Sequence, residues 1–126
     1  MIALLLGSVA LSLHCRASID LAIAARNGDL ARVTSLVNEY ENIDIEPAFL
    51  MSASYCRILV MRYLIESGAR DFDGALAAAA FRNQMQALRL LVECDNSLKL
   101  STAMRVASIS GSTEAEYFLL TKIKGF

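Results

Sequence analysis

The side chains best equipped for chemistry in this chain are few: His14 beside Cys15, the thiols Cys56 and Cys94, and Asp71 with Asp73 in the run RDFDG. His14 and Cys15 pair a base with a nucleophile by type, but adjacency in sequence does not bring two side chains together. The three cysteines are odd in number and widely spaced, with no C-x-x-C pair, and His14 is the chain's single histidine. A zinc centre needs four converging ligands, which this spacing does not offer. The thiols are therefore expected to be reduced, buried and structural, since a free Cys behaves as a small hydrophobe. Asp71 and Asp73 lack the further oxygen ligands of a calcium loop and read as a solvated turn. The chain contains no G-x-S-x-G elbow, phosphate-binding loop or dinucleotide fingerprint. These residues point to no enzyme, no cofactor and no metal.

The totals favour burial over solvation. The chain has 126 residues, 56% of them hydrophobic, and one Pro. That suits one domain or a short array of repeats and argues against disorder. Its 12 basic and 13 acidic residues are dispersed, for a formal charge of −1. With no basic block, electrostatic binding to nucleic acid is not expected.

Two parts are legible along the chain. Residues 1–17 open with the uncharged run MIALLLGSVALSL. It is shorter than the roughly 20 apolar residues that cross a bilayer. It reads as a capping helix or partial repeat, with a cleaved signal or an anchor as the alternative.

Residues 18–126 hold a repeat. DLAIAARNGDLARVTSLV from Asp20, FLMSASYCRILVMRYLI from Phe49, ALAAAAFRNQMQALRLLV from Ala75 and AMRVASISGSTEAEYFLL from Ala103 share one pattern. Leu21, Leu50, Leu76 and Met104 open it, and small pairs follow at Ala24-Ala25, Ala53-Ser54, Ala79-Ala80 and Ala107-Ser108. A break then leads to a bulky stripe ending at Leu36-Val37, Leu64-Ile65, Leu91-Val92 and Leu119-Leu120. The first small residues are 29, 26 and 28 positions apart.

Each unit predicts two short helices joined by a tight turn, an all-α solenoid of about four helix-turn-helix repeats. The inner helix is alanine-rich so that neighbouring backbones approach closely, and the outer one closes the core with its apolar stripe. Asp29 is placed to cap an outer helix, Thr113 with Glu116 fits a capping box, and Lys122 and Lys124 suit a helix C-terminus.

This pattern resembles the ankyrin repeat, whose consensus runs T-P-L-H-x-A-A-x-x-G-H, then an apolar helix, then G-A. The matching residues are LAIAARNGDL, Gly68-Ala69 after RYLIES, Thr102, and Gly111 after Ala107. The units are shorter than the family's roughly 33 residues. Gly68 to Leu76 leaves no room for the family's β-hairpin finger, so the fingers are truncated or absent. Unit two lacks the Gly between its helices, Cys56 being followed directly by Arg57, and unit three has Asn83 there, which tolerates the left-handed conformation.

The resemblance implies a non-catalytic module that binds a protein partner through its concave inner-helix face. The family's contact positions fall on Arg26-Asn27, Tyr55-Cys56, Phe81-Arg82 and Ile109-Ser110. Arg26, Asn27, Tyr55, Phe81, Arg82 and Ile109 are thus the expected partner-binding residues. Tyr55 and Phe81 would be neighbours flanked by Arg26 and Arg82, aromatics and arginines being the usual anchors. The competing expectation is that both rings fold over the inner helices as filler. Arg62 and Arg89 occupy matching outer-helix places on a solvated face.

Cys56 and Cys94 fall at the ends of different helices, expected beyond the ~7 Å Cα separation a disulfide allows. That favours the cytoplasm. Two other functions are compatible with residues 1–17: a secreted or membrane-directed repeat protein, or an assembly subunit joining another chain through its apolar N-terminal helix.

Overall fold

A computed structural model describes residues 2–95 and 99–125, with side chains from Cys15 onward. Its regular structure is all helical: α1 (Ile2–Asn27), α2 (Leu30–Glu39), α3 (Glu46–Ser54), α4 (Ile58–Glu66), α5 (Phe72–Phe81), α6 (Met85–Cys94), α7 (Leu100–Ser110) and α8 (Thr113–Lys124). No strand occurs among the described residues. α1 runs unbroken through Ala17 into the first repeat.

One turn is used four times. Gly28, Cys56, Asn83 and Gly111 end the odd-numbered helices at φ of 75°, 57°, 57° and 77°, the left-handed region. Each is followed by a residue whose amide donates back across the turn: Asp29 to Ala24 (2.9 Å), Arg57 to Ser52 (2.7 Å), Gln84 to Ala79 (2.9 Å) and Ser112 to Ala107 (2.8 Å). The left-handed residues donate to Ala25, Ala53, Ala80 and Ser108. This paired closure satisfies helix-end carbonyls and reverses the chain within two residues. Gly meets the backbone requirement without strain, and Asn tolerates it. Cys56 is the exception.

The reversals make four helix pairs. α1, α3, α5 and α7 pack in sequence as a central row, and each even-numbered helix packs behind its own partner. The seams of the row are built from Ala25, Ala53 and Ala80 on one side of the odd helices and Ala48, Ala75 and Ala103 on the other, all buried. Behind them Leu36, Leu64, Leu91 and Leu119 fill the same place in each even helix. Burying a leucine contributes about 1.5–3 kcal/mol, and no single pair encloses its own.

The turns correct the register expected for unit two. Consecutive left-handed residues are 28, 27 and 28 positions apart. Counted from Cys56, the residue matching Leu21 and Leu76 is Phe49 rather than Leu50, and the small pair is Ser52-Ala53 rather than Ala53-Ser54. Phe49, Ser52 and Ala53 are fully buried. Ser52 is accommodated because its hydroxyl donates to the Phe49 carbonyl at 2.7 Å. Phe49 also meets Phe72 edge-on, with centroids 5.6 Å apart.

Two capping expectations divide. Asp29 does cap α2, its carboxylate accepting from the Arg32 amide at 3.1 Å. The Thr113–Glu116 box is replaced: Ser112 is the N-cap residue of α8, and Asn83 of the preceding pair accepts from the Ala115 amide at 3.0 Å.

The row ends in polar faces. In the first pair Asp20 and Arg32 replace the buried Ala48/Ala75/Ala103 and Val60/Ala87/Ala115 of later pairs. In the last pair Ser108 is exposed where Ala25, Ala53 and Ala80 are buried, and Arg105 is exposed where Ala22, Leu50 and Ala77 are covered or partly covered. Among the described residues, neither end repeats the alanine seam at these positions.

Candidate functional site

Two hydrogen-bond series set the spacing of the odd helices. At the turn end, the side chain after each of the last three left-handed residues reaches the preceding pair. Arg57 Nε donates to the Arg26 carbonyl (2.8 Å), Gln84 Nε2 to Ser54 (3.0 Å) and Ser112 Oγ to Phe81 (3.1 Å). The acceptors hold the same place in α1, α3 and α5, two residues before the left-handed turn. At the other end, Glu46 takes the Arg70 and Asp71 amides at 2.8 and 3.0 Å, and Asp73 takes the Lys99 amide at 3.1 Å. These carboxylates hold the chain where it enters the next odd helix. They bridge the short connections between one pair and the next.

Between those ends lies the face that the odd helices share and the even helices do not cover. The register shift changes its composition. Two positions before the turn stand Arg26, Ser54, Phe81 and Ile109; one before it stand Asn27, Tyr55, Arg82 and Ser110. The expected Tyr55–Phe81 adjacency is thus replaced. Tyr55 shares its column with Arg82, whose guanidinium carbon lies 4.4 Å from the ring centroid. A cation over a ring face is attracted by about 0.5–1 kcal/mol at exposed sites.

Phe81 is 57% exposed and Ile109 85% exposed, so the filler reading fails for Phe81. Tyr55 is half-buried and under a cation. Arg26 and Asn27 are exposed at the same edge. Met51, Ile23 and Ile19 add exposed apolar surface further along α3 and α1. The signal missed in the sequence was Cys56: read as the turn residue, it restores the register and moves Tyr55 out of the column of Phe81 and Ile109 into that of Arg82.

The even-helix side is grooved rather than ridged. Ile58, Arg62, Gln86, Arg89, Leu90 and Glu93 line a groove of about 400 Å³ between α4 and α6. One of about 460 Å³ between α6 and α8 is lined by Met85, Arg89, Tyr117 and Phe118 among others. Arg62 and Arg89 do hold matching exposed places. Arg89 and Lys122 both approach the Phe118 ring, at 6.0 and 5.5 Å.

The expected burial of the thiols is corrected: Cys15 and Cys94 are exposed and Cys56 is half-covered, all three free. Cys94 lies at the exposed end of α6, and Cys56 lies in a turn with one side packed against the core. The His14 side chain lies outside the described residues. Asp71 is not merely solvated, since it caps α5 by accepting from the Gly74 amide at 2.9 Å. Among the described residues, no group of His, Cys, Asp and Glu is arranged to hold a metal ion, and no helix is long and apolar enough to cross a membrane. No family model matches the chain, and no curated protein matches it.

Proposed function

We propose that this protein is a non-catalytic binding module: an ankyrin-like, fingerless array of helix pairs that holds a partner protein against the shared face of its odd helices. The observation that carries the reading is the pair Phe81 and Ile109. Both are large, apolar and more than half exposed, and they hold the same place in consecutive pairs. Adjoining exposed apolar residues on a rigid row fit an interface anchor better than a solvent surface. Tyr55, Arg82, Arg26 and Asn27 supply the polar rim that such anchors have. Hydrogen bonds at both ends of the odd helices keep this face pre-organised, which lowers the entropic cost of binding.

The compartment we propose is the cytoplasm. Three unpaired thiols, two of them exposed, suit a reducing environment.

The test compares immobilised wild type with Phe81→Ser/Ile109→Ser in capture from native lysate, followed by affinity measurement with the purified captured protein. A partner bound by wild type at least tenfold more tightly than by the variant supports the reading. Equal binding by both removes the shared face from consideration.

A further inference from the structure

Three surfaces stand open on the molecule. Among the described residues the end faces carry Asp20 and Arg32 in the first pair and Arg105 and Ser108 in the last. The grooves behind α4, α6 and α8 mix arginines with Glu93 and Glu114 and show no dominant charge. The shared face of the odd helices differs from both, because exposed apolar side chains there stand beside two arginines, Arg26 and Arg82, at the turn end.

The acidic groups of α3 and α5 lie at their N-terminal ends and are already engaged. Glu46 holds two backbone amides and Asp73 holds one. Two cations border the face at the turn end, Arg26 in the last turn of α1 and Arg82 immediately after α5, while Arg70 and Lys99 stand exposed at the other end. Arg26 and Arg82 are both exposed, and Arg82 is steadied over Tyr55. Between and beside them run Met51, Phe81 and Ile109 in successive helices, all exposed. The outcome is an apolar row bordered at the turn end by positive charge.

We infer that this face binds an acidic amphipathic segment of a partner protein, with apolar side chains on Met51, Phe81 and Ile109 and carboxylates opposite Arg26 and Arg82. The inference rests on the binding reading above and adds the chemistry of the partner. Packed helices lie about 8–10 Å apart. Arg26 and Arg82 belong to helices two steps apart in the row, so the complementary carboxylates stand roughly 20 Å apart. As a helix that is about 13 residues, with apolar anchors for Phe81 and Ile109 about two turns apart.

The test uses the whole chain and a phage-displayed library of random peptides about 16 residues long, enough to span that distance as a helix. Selection is against wild type, with Phe81→Ser/Ile109→Ser as the counter-target. Circular dichroism confirms that each variant retains the wild-type helical signal. The expected binders carry net negative charge and spaced apolar residues. Their affinity should fall at least tenfold with Arg26→Glu/Arg82→Glu and fall with rising salt. Lys in place of the peptide carboxylates should recover binding to the charge-reversed variant.

Neutral or basic binders overturn the inference. So does an affinity indifferent to Arg26→Glu/Arg82→Glu but lost with Phe81→Ser/Ile109→Ser, although that result leaves the binding face itself standing. Binding that survives Phe81→Ser/Ile109→Ser overturns both readings, as does a library that yields no binder above background.

Discussion

Ala80 and Phe81 are consecutive residues at the end of α5, yet one has no accessible surface and the other is 57% exposed. The two sides of the odd helices divide the work of the molecule between them. On the seam side a methyl group is the largest side chain that allows the next helix to approach. On the open side size is unconstrained, and the chain places a phenyl ring and then Ile109 there. Stability should therefore respond to the seam and its hydrogen bonds, and recognition to the open face.

The largest effect should come from the buried side. Phe49→Ala removes a fully buried ring that touches Phe72, and should destabilise by about 3–5 kcal/mol in chemical denaturation. A loss below 1 kcal/mol would mean that α3 is not the tightly packed centre of the row. Next comes Glu46→Ala, which strands two backbone amides at the entry to α5. It should destabilise by about 1–3 kcal/mol. Asp73→Ala, which releases one amide, should lose less in the same assay. Reversal of that order would show that the clamps do not set the spacing.

The turns give smaller effects of opposite sign. Gly28→Ala strains a left-handed residue and places a methyl 3.0 Å from Arg57 Cδ, disturbing the arm that reaches Arg26. A loss of about 1–2 kcal/mol is expected in thermal or urea unfolding. Cys56→Gly should instead stabilise by about 1 kcal/mol, because the residue already holds the left-handed conformation at φ 57°. The smallest stability effect belongs to Phe81→Ser/Ile109→Ser. Exposed substitutions usually change stability by no more than about 0.5 kcal/mol each. A wild-type melting temperature combined with lost partner binding would separate the two sides most sharply.

Much of this organisation is legible in the residues. The alanine runs, the leucine stripes and Asn27-Gly28-Asp29 identify paired helices, and the outer-helix register holds throughout. Unit two failed at its inner helix because its turn carries Cys56 instead of glycine, which left Ala53-Ser54 as the more obvious small pair. The backbone conformation at Cys56 fixes the alignment. The Thr113–Glu116 box failed for a related reason: Asn83, from the preceding pair, reached the α8 amide instead.

The sequence by itself determined the helical periodicity, the paired arrangement and the places where small and bulky residues alternate. These follow from local propensity and from apolar spacing along a single segment. Tertiary structure decided which residue of unit two shares a column with its neighbours, which thiols remain exposed, and that Arg82 lies over Tyr55. Those outcomes depend on contacts about thirty residues apart, where a slip of one position rotates a helical side chain by roughly 100° and exchanges a buried place for an open one.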